Sequence, residues 1–162
     1  MNSDRRVLDK AVGHALSGKG AHVEARGVFT GLHWKVVGIR PKGVSHSVFQ
    51  LLNHMIYWQD WVVNWLDGQD PPLPGHASGS WAGSPGPASP ADWQRAVRRF
   101  RSGLEALDHR SREGDLFAKR GTKSRLEMLQ TIASHSSYHA GQVVVLRQML
   151  GKWPPPSGGL TW

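Results

Sequence analysis

The segment from Ser124 to Gly151 constrains the fold most, because its pattern predicts one long helix with two histidines, His135 and His139, on the apolar face. Ser124 and Glu127 match a capping box at the start, and Gly151 can adopt the left-handed conformation that ends a helix. Residues four apart on a helix are offset by only about 40° and about 6 Å, so two such imidazoles can reach one metal ion. The spacing also occurs by chance, and two hydrogen-bonded core histidines are the alternative.

The apolar neighbours of these histidines carry more information than the spacing. Ile132, Val143 and Leu146 lie along the same side of the predicted helix. An imidazole buried among such side chains without a partner costs about 1–3 kcal/mol. The sequence therefore predicts that a ligand or a hydrogen-bonding group holds both rings.

A second helix is predicted to begin at a capping box formed by Ser47 and Gln50 and to end at about Gly68. Its polar and apolar residues separate into two stripes. His54 lies at the edge of the apolar stripe. A single histidine in that position is more often a structural residue than a ligand.

The remaining segments are predicted from periodicity and from turn residues. The segment from Gln69 to Ser89 is a long loop rich in Pro, Gly and Ser, and its Trp81 either folds back over a pocket or, as we favour, is a partly exposed anchor. The other expectations are a first helix over Arg5–Ser17, a short helical piece over His22–Thr30, a third helix that starts at Ser89-Pro90, and a polar connection over Ser111–Lys123.

Four helices with long connections and no convincing strand predict an all-α four-helix bundle, a single domain over residues 1–162 with the long loop between helices two and three. A bundle brings side chains of facing helices together, so His54 can converge with His135 and His139. Three imidazoles with an open fourth position are typical of a catalytic divalent-metal site. They suit zinc, nickel, iron or copper.

Composition and charge limit the function classes. The chain has no cysteine, which excludes disulfides, thiolate metal ligands and a cysteine nucleophile. The formal net charge is +8, and ten Lys or Arg residues lie between Arg95 and Arg125. A solvated helix face explains this stretch best, with an anion-attracting pocket rim or a nucleic-acid surface as alternatives. No signal peptide or membrane span is recognisable, so we expect a cytoplasmic protein without a membrane partner.

Two motifs resemble the DinB/YfiT-like family of metal-dependent proteins. They are SVFQLLNHMIYWQDW, from Ser47 to Trp61, and IASHSSYHAGQVVVLRQMLGKWP, from Ile132 to Pro154. The resemblance implies a four-helix bundle, commonly homodimeric, that holds a divalent metal ion, with zinc, nickel and iron favoured, through the residues matching His54, His135 and His139. It also implies a small-molecule substrate and a low-molecular-weight thiol as a possible cofactor, because relatives include mycothiol-dependent maleylpyruvate isomerases and bacillithiol S-transferases.

The leading hypothesis is thus a metal-dependent enzyme of the thiol S-transferase or isomerase type. Ser136 follows His135, so the Glu that serves as general base in H-E-x-x-H peptidases is missing. Asp60 falls on the polar stripe and does not supply a base either. Gln142 is a candidate hydrogen-bond partner of the site, whereas Tyr138 and Gly141 are interpreted as local packing. A non-catalytic metal-binding stress-related or interaction protein is the alternative, and a basic nucleic-acid-binding protein is the third option.

Overall fold

A computed structural model describes residues 3–159 and confirms the predicted all-α four-helix bundle. The four helices are α1 (Ser3–Ser17), α2 (Val48–Leu66), α3 (Pro90–Arg112) and α4 (Arg125–Met149). The minor elements are a 3-10 helix over Ala77–Ser80 and a two-stranded antiparallel hairpin of β1 (Lys119–Arg120) and β2 (Lys123–Ser124).

The predicted capping boxes set the start of the two helices that carry the histidines. In α2, the Ser47 side chain accepts from the Gln50 backbone and the Gln50 side chain accepts from the Ser47 backbone. Ser124 and Glu127 make the same reciprocal pair at the start of α4. Gly151 follows α4 with a φ of 64°, a left-handed conformation that glycine adopts without steric cost. Both helices therefore begin where the sequence predicted.

Ion pairs and hydrogen bonds give the helix directions. Asp60 of α2 and Asp67, the residue directly after α2, pair with Arg99 and Arg110 of α3, so the two helices run parallel. The start of α4 meets the end of α2 through a hydrogen bond from Arg125 to the Leu66 carbonyl, so α4 runs in the opposite direction.

The other half of the bundle follows from the contacts of α1. Arg5 near the start of α1 donates to the carbonyls of Ser111 and Gly114 at the end of α3, so α1 and α3 are antiparallel. α1 packs against α3 and α4, and α2 packs against the same two helices. The bundle is thus up-down-down-up, and residues 67–89, here called the crossover segment, must return along the length of α2, about 28 Å for its 19 residues.

Two apolar clusters make up the core. One joins the first half of α2 to the second half of α4 and to residues 23–37, and includes Val28, Phe29, Leu52 and Val143. The other joins α1 to the second half of α2 and the first half of α4. In α4 the buried Ser136 and His139 lie between the segments that form these clusters, whereas in α2 the buried His54 lies among residues of the first cluster. The histidines therefore lie beside the first cluster, close to where α4 passes from one cluster to the other.

One sequence prediction about a connection is wrong. Residues 22–30 form successive turns rather than a helical piece, because Gly27 and Thr30 donate to carbonyls three residues back and Gly31 has a φ of 76°. The polar connection over residues 111–123 does lead from α3 to α4, and it contains strand β1 and the first residue of β2, which the sequence did not indicate. Strands of two residues are too short for any periodic signal.

Arg147 was not predicted to be buried, yet its side chain fixes the turns of residues 22–32 to α4. It is 2% exposed. Its guanidinium donates to the carbonyls of Val28, Thr30 and Lys152, each at 2.9 Å. Burial lowers the pKa of Arg147 from its usual value. One cation thus satisfies three backbone acceptors that have no helix or sheet partner.

No helix among residues 3–159 is long and apolar enough to cross a membrane. The predicted single domain over residues 1–162 also includes residues 1, 2 and 160–162, which lie outside the described part of the chain.

Replacing Arg147 by methionine should destabilise the fold. Arg147→Met keeps an apolar stem of similar length but leaves carbonyls without donors, and we expect a loss of about 2–4 kcal/mol in the free energy of unfolding. Urea unfolding followed by circular dichroism measures it. Arg112→Met, which removes an exposed arginine paired with Asp108, is the control and should change stability little. Equal losses in the two variants would contradict this account.

Candidate metal centre

Three histidine side chains converge where the middle of α2 faces α4. His54 comes from α2, and His135 and His139 come from successive turns of α4. The Nε2 atom of His135 lies 3.1 Å from Nε2 of His54 and 3.1 Å from Nε2 of His139. All three ligand atoms lie within 4.8 Å of one another. The structure thus brings together all three residues that the sequence singled out.

These distances are close to those that one ion requires. Imidazole nitrogens bound at about 2.0–2.1 Å around a tetrahedral ion lie about 3.3–3.4 Å apart. The two Nε2–Nε2 distances that involve His135 are a few tenths of an ångström below this value, and the ligand atoms of His54 and His139 lie within 4.8 Å of each other. Side-chain shifts that bring His54 and His139 closer together would complete tetrahedral ligation. No Asp or Glu of residues 3–159 joins the group.

Burial keeps the rings neutral at neutral pH. His54 and His139 are 7% and 5% exposed, and His135 is half-buried. Loss of hydration, followed by the charge of His139, lowers the pKa of both His54 and His135 to about 4. Burial also lowers the pKa of His139, against a hydrogen bond that raises it. Neutral imidazole is the form that binds a metal ion.

Hydrogen bonds on the far side of two rings fix which nitrogen faces the centre. Nδ1 of His54 donates to the Ser80 carbonyl at 3.2 Å, and Nδ1 of His139 donates to Oε1 of Gln142 at 2.6 Å. Each neutral ring carries its single proton on Nδ1, so each Nε2 presents a lone pair to the cluster. The prediction that Gln142 supports the site is confirmed as a contact. Nδ1 of His135 is buried and has no hydrogen-bond partner.

The proton inventory of the cluster favours a cation at its centre. The Nε2 atoms of His54 and His139 are acceptors, and both face Nε2 of His135. A neutral His135 can supply at most one proton to these two lone pairs. A divalent cation would accept one lone pair from each of the three rings, whereas in the protein alone the lone pairs of His54 and His139 compete for the single proton of His135. The donor set therefore fits the metal that the sequence resemblance implies.

Aromatic rings enclose the histidines. The Trp81 indole stacks on the His54 ring, with centroids 3.9 Å apart and planes at 6°. Trp58 meets His54 and His135 by its edge, and Tyr138 meets His139 in the same way at 5.0 Å. Trp81 is partly exposed, as the favoured interpretation expected, but it also folds back over the histidines, which was the alternative.

Sequence reasoning missed two residues beside the centre, Ser80 and His46. Ser80 contributes only its backbone carbonyl, which leaves no trace in residue type. His46 stacks on the outer face of Trp81, and no periodic pattern includes it. The interpretation of Gly141 as a packing residue is also wrong, because Gly141 is exposed and a Cβ there would meet no atom within 4 Å.

The basic stretch from Arg95 to Arg125 is largely engaged within the protein. Arg95 pairs with Asp92, and further arginines of this stretch pair with aspartates of α2, α3 and the crossover segment: Arg99, Arg110, Arg112 and Arg120. These contacts agree with the interpretation of a solvated helix face. A surface cleft of about 970 Å³ between α1 and α3 includes none of the three histidines.

Comparison with known proteins gives one match. The family model described as the DinB superfamily matches residues 21–143, well over half of the chain and all three histidines. No curated protein and no solved structure matches the chain. Because this model covers most of the chain, the chain belongs to the DinB superfamily.

Proposed function

We propose that this protein binds one divalent metal ion through Nε2 of His54, His135 and His139, and that it is an enzyme of the thiol S-transferase or isomerase type. The observation that carries the proposal is the convergence of three neutral imidazoles, with two Nε2–Nε2 distances of 3.1 Å. Three protein ligands leave a coordination position open, which is the pattern of catalytic rather than structural sites. We expect the bound metal ion to be zinc, nickel or iron. We also expect the protein to be cytoplasmic and its substrate to be a small molecule.

The chain's own residues would prepare the site. The Ser80 carbonyl and Gln142 hold the Nδ1 protons of His54 and His139, so both rings keep Nε2 directed at the centre. Trp58 and Trp81 cover the ring edges and faces and limit the access of water. A divalent cation held by these three histidines would lower the pKa of a coordinated thiol so that it loses its proton to solvent at neutral pH, which would supply a nucleophile without a protein base.

Purified without chelators, the protein should contain about one divalent metal ion per chain, because three buried imidazoles are well matched to a cation. His139→Ala should lose it, since two ligands hold a divalent ion far less tightly. Elemental analysis of the purified proteins measures the content. His109→Ala removes an exposed histidine outside the cluster and should keep the full content. The site would be contradicted if wild type purified from cells grown in metal-supplemented medium contained no metal. An unchanged metal content in His139→Ala would also contradict it.

A low-molecular-weight thiol should bind at the open position. We expect a sulfur-to-metal charge-transfer band when biological thiols are added to cobalt- or nickel-substituted protein. We also expect the metal-loaded protein to accelerate the addition of the thiol across an activated double bond, in which a carbon–sulfur bond forms and solvent supplies the proton to carbon. His54→Ala should show neither effect.

The missing carboxylate base favours one other function, a non-catalytic metal-binding protein. Among residues 3–159 no Asp or Glu joins the histidines, and Asp60 is paired with Arg99. This alternative would be the better one if the protein retained its metal but showed no charge-transfer band with any thiol, and if wild type and His54→Ala gave equal rates of thiol addition. If the protein slows the electrophoretic mobility of DNA in a salt-dependent way, and variants without the three histidines do the same, the nucleic-acid hypothesis would be supported instead.

We also propose a homodimer, which the family resemblance implies. Tyr138, Val145 and Met149 are 65%, 53% and 52% exposed and follow one outer face of α4 at helical spacing. An apolar stripe of this kind can pack against its copy in a second chain. Light scattering should give twice the chain mass, and Val145→Asp should shift the mass toward the monomer. A monomer mass for wild type over a wide concentration range would remove the dimer but not the metal site.

A further inference from the structure

The crossover segment is attached along one face of α2, in reverse order. Trp61 Nε1 donates to the Pro72 carbonyl at 3.2 Å, and His54 Nδ1 donates to the Ser80 carbonyl. Closer to the start of α2, the side chains of the capping box continue the series: Gln50 donates to the Ala82 carbonyl and Ser47 to the Pro85 carbonyl. The donors lie at helix positions 61, 54, 50 and 47, which share one side of α2. His54 is therefore a contact in this series as well as a candidate metal ligand.

A stack of three rings joins the crossover segment to the metal centre. Trp81 lies between His54, at 3.9 Å and 6°, and His46, at 3.7 Å and 7°. His46 directly precedes the N-cap residue Ser47, so both imidazoles are held by the first half of α2. The Trp81 indole is thus stacked on both of its faces, and it covers one face of the His54 ring.

Two restraints together fix the orientation of His54. The hydrogen bond to the Ser80 carbonyl acts in the plane of the imidazole and would be lost if the ring rotated about its Cβ–Cγ bond. The stack with Trp81 acts perpendicular to that plane and would be lost if the ring swung about its Cα–Cβ bond. His139 has the in-plane restraint from Gln142 and edge contacts with Tyr138 and Trp81 but no stacked ring, and Nδ1 of His135 has no hydrogen-bond partner. His54 is the most completely oriented of the three rings.

The geometry points to Trp81 as a positioning residue for the metal centre: with the adjoining Ser80 carbonyl it holds the His54 ring so that Nε2 faces the other two histidines. This inference rests on the proposed metal-binding function, because the orientation of His54 matters only if His54 binds a metal ion. The role of the crossover segment is then to complete the site as well as to connect α2 and α3. Groups that orient a ligand commonly change metal affinity about 10–100-fold when they are lost.

Metal-free protein gives the first test, because the position of the ring does not require the metal. In wild type, long-range proton–nitrogen NMR spectra should show His54 as a single tautomer with the proton on Nδ1. Trp81→Leu keeps apolar bulk but removes the flat ring, and should give a mixture of tautomers. Trp81→Phe keeps a stacking ring and should restore the single form. A mixture in wild type, or one tautomer in all three proteins, would overturn the inference.

Metal affinity gives the second test. Competition of zinc with a chromophoric chelator should give a dissociation constant about 10–100-fold higher for Trp81→Leu than for wild type. Trp81→Phe should recover most of the affinity, and the visible spectrum of bound cobalt should change in Trp81→Leu alone. Leu73→Ala, at an exposed position of the same segment, is the control and should match wild type.

The outcomes separate this inference from the proposed function. Absence of zinc binding by wild type contradicts the metal site, whereas the tautomer measurement still decides whether Trp81 orients His54. Equal zinc affinity and identical cobalt spectra for wild type and Trp81→Leu overturn the positioning role while the metal site stands. Reduced affinity in Trp81→Leu that Trp81→Phe does not restore would mean that bulk, and not the stacked ring, matters, and would also overturn it.

Discussion

The parallel arrangement of α2 and α3 is the constraint on which the rest of this structure depends. Consecutive antiparallel helices can be joined by a short turn, but parallel ones need a connection that returns over the helix length. The pairs of Asp60 with Arg99 and of Asp67 with Arg110 show the parallel direction. Residues 67–89 must therefore lie along α2, and their backbone groups find donors there. This path carries Ser80 and Trp81 to His54.

The histidine cluster shows how a polar site is tolerated inside an apolar bundle. The two apolar clusters supply the burial that stabilises the helices, so the bundle can also hold imidazoles that contribute little to packing. Backbone and amide groups satisfy Nδ1 of His54 and His139, and the three Nε2 atoms are left facing one another. A cation is the partner that best complements such a set. Stability and chemistry thus depend on different residues of one bundle.

Sequence patterns predicted the local structure well wherever the relevant interactions are local. Capping boxes join residues three apart, so Ser47 with Gln50 and Ser124 with Glu127 were visible as pairs. The His135 and His139 pair lies on one helix face by helical geometry alone. The turns of residues 22–30 were missed because they are held from outside, by Arg147 of α4, and their own residues carry no periodic signal.

The sequence by itself determined the four helices, the absence of cysteine from the chain and the three candidate ligands, because helical periodicity, caps and residue types are read along the chain. Only the tertiary structure decided that Trp81 covers His54, that Ser80 fixes its tautomer and that the basic residues of α3 are mostly paired. These contacts join residues far apart in sequence, and one is made by a backbone carbonyl. Their existence depends on helix direction and on the path of the crossover segment, which no local pattern encodes.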